Sequence, residues 1–390
     1  MVSSLKKITI RPDKYVKGDS FEASFVARPT TTAEDQRVRC VSLLESRELD
    51  ARTDPVLDSA LESLRKPIPN QGSRVFSISP FVAEELSRLD DSEVLHYLFH
   101  RYRYDRWPVD RVIDEFPPYV QIEPTSVCNF RCVFCYQTDE EFSSRDSSHM
   151  GSMSTETYKR VVDQIEGGVE FVSLASRGEP LMCRDLPEML EYSRGKFLNL
   201  KVNTNASILT EERAHALLSG AVNTVVFSAD AAEEPLYGQL RVGGKLDRVL
   251  RNIERFENIR QRDYSSVPLI SRVSGVYVNE SQDMTKMIEL WGGMVDEISF
   301  VRYNPWENVY EAPLSGEESP CSDLWRRLFV WFDGTVNPCD TDYKSSLAVG
   351  HVSEATVSEL WTGSAYTRLR QKHLSAGRGL VHPCNKCVVV

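Results

Sequence analysis

The stretch Glu123-Pro-Thr-Ser-Val-Cys-Asn-Phe-Arg-Cys-Val-Phe-Cys135 places three cysteines, Cys128, Cys132 and Cys135, within eight residues. A short apolar run at 119–122 comes just before it and predicts a strand. Thiolates bind soft metal centres, and a tight loop with three of them can hold one face of an iron–sulfur cube. Structural zinc sites and ordinary electron-transfer clusters use four protein ligands, so three cysteines leave one metal corner open. The alternative is a zinc knuckle or a chance cluster of reduced cysteines.

The spacing Cys128-x-x-x-Cys132-Val-Phe134-Cys135 resembles the signature of the radical S-adenosylmethionine (SAM) superfamily, in which an aromatic residue accompanies the last cysteine. In that family the fourth iron of a 4Fe–4S cluster binds the amino and carboxylate groups of SAM. The resemblance implies that the three cysteines bind this cluster and that Phe134 lies beside SAM. It also implies cleavage of SAM to a 5′-deoxyadenosyl radical, with an electron from an external reductant such as flavodoxin or ferredoxin.

The chain has 390 residues, enough for two or three domains that each bury a core. Most of its nine cysteines fall in two clusters, which is typical of metal ligands in a reducing compartment. The N-terminus lacks the apolar region of a signal peptide, and no apolar run is long enough to span a bilayer. The net charge of −11 argues against a nucleic-acid surface. We therefore expect a cytoplasmic protein without a nucleic-acid or membrane partner.

Between residues 116 and 303, short apolar segments alternate with segments that carry apolar residues at helical spacing. Strands that alternate with helices predict parallel βα units, which right-handed crossovers curl into a barrel. The predicted fold class is α/β, with a partial (βα)6 TIM-like barrel, which is also the fold of the family that the cysteine loop resembles. The catalytic groups of such barrels lie at the carboxyl ends of the strands. The predicted strands are 119–123, 169–175, 199–203, 223–227, 269–278 and 297–301.

Polar residues follow several of these strands. The second strand ends in Ser176-Arg-Gly-Glu-Pro180, which is similar to the family's GGEP motif, although Arg177 stands where the family often has glycine. The resemblance implies that Gly178 lets the backbone approach the ligand and that Glu179 binds the ammonium of SAM. Three further candidates for contacts to the ribose and carboxylate of SAM follow later strands: Asn205, Ser228 and Arg241.

Cys183 follows Glu179 by four residues and is expected near the mouth of the barrel. A thiol in that place could donate a hydrogen atom to a substrate radical, which would make the enzyme an epimerase. The alternative is a packed thiol without a chemical role.

Residues 304–320 are rich in Pro, Gly, Ser and Glu and are predicted to form a linker. They lead to a C-terminal domain at 321–390, where an Asp333-Gly334 dipeptide predicts a β-hairpin and residues 354–370 predict a helix. This domain carries four cysteines: Cys321, Cys339, Cys384 and Cys387. Four such ligands can hold zinc or a second 4Fe–4S cluster.

The layout resembles the twitch form of the radical SAM C-terminal extension, a short α+β relative of the SPASM domain. The resemblance implies one auxiliary 4Fe–4S cluster on these four cysteines. The chain ends three residues after Cys387, so the further cysteines of a full SPASM domain are not expected. A cluster whose irons are all held by the protein has no corner for substrate, and we expect it to accept an electron.

Residues 1–115 are predicted to be a mostly helical extension. It could cap the barrel, form an oligomer surface or recognise a substrate such as a peptide leader, and the sequence does not define the oligomeric state.

The complete layout resembles the radical SAM aminocyclitol dehydrogenases. This resemblance implies oxidation of a polar small molecule, such as a sugar or an aminocyclitol. Within the family, the alternatives are an epimerase and a maturase of ribosomally made peptides (RiPPs). Outside it, the alternative is a zinc-stabilised binding protein without redox chemistry.

Overall fold

The computed structural model describes residues 14–16, 21–22, 24–27, 31–48, 50, 52–66, 75–144, 146–219, 221–375 and 377–390. Among these residues, no helix is both long enough and apolar enough to cross a membrane. The strands are β1 (Val26–Ala27), β2 (Tyr119–Ile122), β3 (Arg131–Cys132), β4 (Phe171–Leu174), β5 (Asn199–Thr204), β6 (Thr224–Ser228), β7 (Arg241–Val242), β8 (Ile270–Tyr277), β9 (Glu297–Arg302), β10 (Arg327–Val330), β11 (Thr335–Asn337) and β12 (Gly350–His351).

The α-helices of the described residues occur before, within and after the barrel. They are α1 (Ala33–Ser46), α2 (Asp54–Leu64), α3 (Pro80–Leu86), α4 (Asp91–Asp110), α5 (Glu140–Ser143), α6 (Thr155–Ile165), α7 (Leu186–Tyr192), α8 (Glu211–Leu218), α9 (Leu236–Leu240), α10 (Leu246–Asp263), α11 (Met284–Gly292), α12 (Val357–Thr362) and α13 (Ser364–Ser375).

One sheet runs through the barrel and into the C-terminal domain, in the order β1-β9-β8-β6-β5-β4-β2-β10-β11-β12. The strands β2, β4, β5, β6, β8 and β9 are parallel to one another, as the alternation of strands and helices predicts. The predicted α/β fold class with a parallel sheet is thus confirmed. The barrel stays open because its two outer strands pair with strands from outside it, β9 with β1 and β2 with β10.

The barrel helices begin where short polar side chains cap them. Ser154 accepts a hydrogen bond from the backbone N–H of Thr157, and Thr210 accepts one from that of Arg213. Such caps satisfy N–H groups that have no partner inside the helix. The apolar faces of these helices pack on the outer side of the sheet, where the barrel has its main core.

The predicted hairpin is formed by β10 and β11, which are antiparallel. Strand β10 is parallel to β2, with Arg327 opposite Tyr119 and Val330 opposite Ile122. The single helix predicted for 354–370 is wrong, because two helices meet there at Gly363. The backbone of Gly363 has φ −66° and ψ 168°, which is outside the helical region, so the chain turns at this residue.

The N-terminal helices α1 to α4 form an apolar core of their own. They lie against the amino ends of the barrel strands. The ring of His100 stacks on Phe171 at the start of β4, with 3.7 Å between ring centroids. Arg88 forms an ion pair with Glu297 at the start of β9. This part of the extension therefore covers the end of the barrel opposite to the cysteine loop.

The predicted linker at 304–320 has neither helix nor strand, yet its first part packs against other parts of the protein. The indole N–H of Trp306 donates to the carbonyl of Phe134 at 2.5 Å. The hydroxyl of Tyr310 donates to Asp342 in the C-terminal domain at 2.6 Å. The segment therefore connects the cysteine loop to the C-terminal domain through side chains as well as through the backbone.

Candidate active site

A cavity of about 530 Å³ occupies the interior of the barrel. At the carboxyl ends of the strands its wall contains Cys128, Cys132 and Cys135, and at the amino ends it contains Tyr119 and Phe171. All the residues predicted to contact SAM line this cavity: Phe134, Gly178, Glu179, Asn205, Ser228 and Arg241. The fold thus brings together residues that are far apart along the chain.

Backbone pairing holds the cysteine loop in place. Cys132 in β3 lies opposite Arg241 in β7, and the two short strands form a small antiparallel sheet. At the start of the loop, the N–H of Ser126 donates to the carbonyl of Gly151 at 3.0 Å. At its end, the N–H of Cys135 donates to the carbonyl of Cys132 at 3.0 Å. These bonds fix the positions of the three thiols at the cavity wall.

Cys132 is buried and Cys128 and Cys135 are partly buried, and this burial favours the neutral form of the three thiols. It raises the pKa of Cys128 to about 12 and that of Cys132 to about 11, and it also raises the pKa of Cys135. Arg241 opposes the rise at Cys132, because its guanidinium lies 3.9 Å from the sulfur. Iron binds thiolates, so these groups release protons when a cluster binds.

A zinc knuckle gathers its thiolates around one ion, whereas a 4Fe–4S cube separates them because each thiolate binds a different iron. The three cysteines of the loop supply the three thiolates that one face of such a cube requires.

Glu179 presents a buried carboxylate to the cavity. It accepts hydrogen bonds from the N–H of Asn205 at 2.7 Å, from the hydroxyl of Thr204 at 2.5 Å and from the N–H of Leu181 at 3.1 Å. Burial raises the pKa of Glu179, and these hydrogen bonds act against the rise. An ammonium group in the cavity would stabilise the charged form, which fits the predicted contact with the amino group of SAM.

Gly178 lies directly against the cysteine loop. A Cβ atom at this position would come within 2.2 Å of the carbonyl oxygen of Thr125 and 2.7 Å of that of Val127. The N–H of Glu179 donates to the same Val127 carbonyl at 2.9 Å. Only glycine allows this approach, so the two motifs are joined backbone to backbone.

Arg241 is held beside the cysteine loop by an ion pair with Asp230, with 2.5 Å between nitrogen and oxygen. Both side chains are buried, and Asp230 also accepts a hydrogen bond from the N–H of Val276 at 2.6 Å. Burial raises the pKa of Asp230, and Arg241 acts against this rise. A fixed guanidinium at the cavity wall fits the predicted contact with the carboxylate of SAM.

The side chains of Asn205 and Cys183 are less available to a ligand in the cavity than those of Glu179 and Arg241. The amide of Asn205 donates to Asn129 at 3.0 Å and its oxygen accepts from the N–H and hydroxyl of Ser207, so its side chain is engaged within the protein. Cys183 is 4% exposed, packs in the apolar core and is not among the residues that line the cavity. This placement favours the packed thiol over the hydrogen-donor role.

The sequence reasoning treated Arg177 only as a departure from the family motif. The structure shows it fully buried and bound to Glu123, the residue that opens the cysteine stretch, through contacts of 2.6 and 2.7 Å. Its guanidinium also donates to the carbonyl of Tyr343 at 2.9 Å and lies 4.2 Å from the ring centre of Trp331. Arg177 therefore joins the barrel to the C-terminal domain.

Three cysteines of the C-terminal domain, Cys321, Cys384 and Cys387, lie near Arg378. Burial raises the pKa of Cys321 to about 11, with a contribution from Cys387, and burial, Cys321 and Cys387 raise that of Cys384. Burial is the main cause of the raised pKa of Tyr366. Cys339 and Cys321 raise this pKa further, so Tyr366 lies near both thiols. Cys321, Cys384 and Cys387 thus lie in one region, and Cys339 lies near Tyr366, so the four cysteines remain the predicted ligands of the auxiliary cluster.

Arg378 itself is completely buried and donates to the carbonyls of Cys384, at 3.1 Å, and of Cys387 and Val389. Burial acts to lower the pKa of Arg378, but the nearby cysteines together raise it. The sequence offered no signal for this role, because Arg378 contacts the cysteine pair only through the backbone of a short terminal loop.

Strand β5 gives the cavity a polar wall that the sequence reasoning missed. Its residues alternate, with Asn199, Lys201 and Asn203 lining the cavity while Leu200 and Val202 pack outward in the core. A strand inside a parallel sheet is usually apolar on both faces. The polar alternation in Asn199-Leu-Lys-Val-Asn203 was therefore a readable sign of a polar interior.

The comparisons with known proteins agree with this geometry. A model of the radical SAM superfamily matches residues 122–276, and a model of an iron–sulfur cluster-binding domain, SPASM, matches residues 321–388. Among solved structures, the chain resembles Streptococcus suis SuiB bound to its precursor peptide SuiA, with a TM-score of 0.51, 17% identity and 72% of each chain covered. It also resembles anSMEcpe with bound AdoMet, with a TM-score of 0.50, 16% identity, and 66% of this chain and 84% of that one covered.

Three curated relatives illustrate the range of similar enzymes. Fe-coproporphyrin III synthase of Methanosarcina barkeri is 31% identical over 35% of this chain and 33% of its own length. Mycofactocin maturase MftC of Mycolicibacterium smegmatis is 26% identical over 57% of this chain and 55% of its own. The SAM-dependent 2-deoxy-scyllo-inosamine dehydrogenase of Niallia circulans is 22% identical over 69% of this chain and 91% of its own.

This chain thus spans about a third of the first of these relatives and about half of the second. A radical SAM domain implies a 4Fe–4S cluster and SAM, and a SPASM domain implies auxiliary iron–sulfur clusters. The chain therefore contains a domain of the radical SAM superfamily, at residues 122–276, and a C-terminal SPASM domain, at residues 321–388.

Proposed function

We propose that this enzyme is a dehydrogenase that oxidises an alcohol of a polar small molecule, of the sugar or aminocyclitol class, to a ketone. The observation that carries the proposal is the set of four cysteines in the C-terminal domain, one for each iron of a single auxiliary 4Fe–4S cluster. Such a cluster has no open corner for substrate. We therefore assign the auxiliary cluster the role of electron acceptor.

With SAM and its 4Fe–4S cluster bound, the site would have the chemistry to remove one hydrogen atom from the carbon bearing the hydroxyl. The substrate would also lose the hydroxyl proton and one electron, and the four cysteines of the C-terminal domain would hold the auxiliary 4Fe–4S cluster proposed to accept that electron. The net reaction converts SAM and the alcohol into methionine, 5′-deoxyadenosine, the ketone and a proton. The electron that cleaves SAM is returned, and an external donor such as flavodoxin or ferredoxin is needed to start the cycle.

The chain's own residues bind and orient the reactants. We assign Cys128, Cys132 and Cys135 to the SAM-binding cluster. Glu179 would accept hydrogen bonds from the SAM ammonium, and Arg241, fixed by Asp230, would bind the SAM carboxylate. The remaining proposed contacts with SAM are those of Phe134, Gly178, Asn205 and Ser228.

The size and closure of the cavity support a small substrate. Its volume of about 530 Å³ lies within the range of about 300–1,000 Å³ that is typical of small-molecule sites. The N-terminal helices cover its far end, which excludes water from that side. The match to the dehydrogenase of Niallia circulans covers 91% of that protein's length. This similarity supports the same class of reaction for this enzyme. We place the enzyme in the cytoplasm, where its thiols stay reduced.

The experiment is anaerobic turnover of the reconstituted enzyme with SAM, a chemical reductant and a panel of polyols and aminocyclitols that includes 2-deoxy-scyllo-inosamine. We expect 5′-deoxyadenosine and ketone in equal amounts. A product at the same oxidation level with one inverted centre would show epimerisation instead. The core position of Cys183 weighs against that outcome, because a hydrogen donor has to reach the substrate.

A peptide maturase is the second candidate, favoured by the match to mycofactocin maturase MftC over 57% of this chain. In this case the N-terminal extension would recognise a leader peptide. Binding of a precursor peptide encoded beside the gene, with modification of that peptide in place of a polyol, would establish this function and remove the first.

A further inference from the structure

Lys201 is a partly buried cation on the cavity wall, and it points to the kind of substrate this enzyme takes. It lies in the middle of β5, on the face that lines the cavity. Its ammonium lies 5.6 Å from the centre of the Tyr119 ring, on the neighbouring wall. Asn205, near the SAM end, lies four positions further along the chain, which is about 13 Å in an extended strand. Lys201 therefore lies deep in the cavity, beyond the site proposed for SAM.

The charge of Lys201 is not neutralised within the protein. The other cations that line the cavity each have an acidic partner: Arg101 with Asp105, Arg177 with Glu123, Arg241 with Asp230, Arg272 with Glu297, and Arg327 with Asp323. Among the described residues, no ion pair includes Lys201. The Tyr119 ring compensates only part of the cost of placing an ammonium in a cavity.

A polar group without a partner lies beside it. Asn203, two residues along the same face, has a buried side-chain oxygen that makes no hydrogen bond within the described residues. Gln121 lines the cavity from β2, the strand that carries Tyr119, and is 8% exposed. A ligand with one anionic group and several hydroxyls would satisfy Lys201 through charge, and Asn203 and Gln121 through hydrogen bonds.

We propose that Lys201 binds an anionic group, a carboxylate or a phosphate, of the small molecule that the barrel oxidises. This proposal rests on the proposed function and narrows it to an acidic or phosphorylated polyol. A simple aminocyclitol carries an ammonium group, which Lys201 would repel. The residue is therefore a specificity determinant, and it holds the substrate from the end opposite to SAM.

The test measures anion binding without turnover. Inorganic phosphate and acetate are titrated by calorimetry into the reconstituted enzyme that is saturated with SAM but not reduced, so the SAM site is already filled. We expect saturable binding of one of the two anions, and the anion that binds identifies the acidic group of the substrate. In Lys201→Met the affinity should fall by at least roughly tenfold, which corresponds to about 1.4 kcal/mol.

Two control variants separate recognition from folding. Lys201→Arg keeps the charge and should retain most of the affinity, and Lys372→Met, which removes an exposed lysine on α13, should leave it unchanged. Without anion, Lys201→Met should unfold at the same temperature as the parent or higher, because it removes an uncompensated charge. A loss of stability would instead make Lys201 a structural residue and overturn the proposal.

The proposal is also overturned if neither anion binds the parent enzyme, or if Lys201→Met binds as well as the parent does. Its failure can be distinguished from failure of the proposed function. An enzyme that oxidises neutral polyols but binds no anion would keep the dehydrogenase and lose the anion site. If the enzyme binds an anion through Lys201 but oxidises no polyol, the anion site would stand and the dehydrogenase function would be lost.

Discussion

Replacing Arg177 with methionine should destabilise the enzyme strongly. The substitution removes two contacts of 2.6 and 2.7 Å to the carboxylate of Glu123, a bond to the carbonyl of Tyr343 and a cation–π contact with Trp331. It also leaves Glu123, which is completely buried, without its counter-charge. Removing one partner of such a pair costs about 3–5 kcal/mol, and most of this cost arises from the charge left behind.

The assay is urea unfolding under anaerobic conditions, followed by tryptophan fluorescence. The double variant Glu123→Leu/Arg177→Met should lose less stability than Arg177→Met alone, because no buried charge remains. The control is Arg160→Met, which breaks an exposed pair with Glu156 and should cost less than about 1 kcal/mol. If Arg177→Met costs no more than this control, or if the two substitutions of the double variant are additive, the reasoning on the buried pair is wrong.

Three further predictions concern the cofactor sites. Cys132→Ala should abolish formation of 5′-deoxyadenosine, whereas Cys339→Ala should retain some of it with little oxidised product; undiminished product would remove the electron-acceptor role. Gly178→Ala should weaken SAM binding in equilibrium dialysis by at least roughly tenfold, because its Cβ would overlap the carbonyl of Thr125, and unchanged binding would contradict this. Cluster assembly, measured as iron and sulfide per chain, should be more complete at about pH 9 than at about pH 7, because iron must displace protons from thiols whose pKa is raised, such as Cys128. Equal metal content at both pH values would count against buried thiols as the ligands.

The same raised thiol pKa values set the sign of the pH dependence of the protein without its clusters. A thiol whose pKa is raised by folding keeps its proton longer in the folded state than in the unfolded one. Its contribution to stability is complete below the unfolded pKa and is lost as the pH rises through the folded value. Between about pH 9 and pH 11 the cluster-free protein should therefore lose stability, with Cys132 among the causes.

The sequence predicted the barrel well because its strands are short apolar runs that alternate with helices of ordinary length. All six predicted strands are present, with ends that differ by at most a few residues. Ser154 and Thr210 cap two of the barrel helices through backbone N–H groups only three residues away. These features depend on neighbours along the chain, which a sequence displays directly.

The features that escaped prediction depend on partners far apart along the chain. Glu123 and Arg177 are separated by 54 positions, and neither residue suggests the other. The core position of Cys183 depends on how the loop after β4 packs, which spacing alone does not define. The predicted helix at 354–370 is wrong for a local reason, because Gly363 interrupts it, and glycine is a poor helix former.

The pairing of β10 with β2 makes the boundary between the two domains a row of backbone hydrogen bonds. A shortened chain that stopped before residue 321 would leave the outer side of β2 bare, and bare strand edges pair readily with other molecules. The barrel is thus expected to aggregate when it is produced alone. The shared sheet also keeps the two cysteine sets at a constant separation, so opening between the domains is not available as a switch for the reaction.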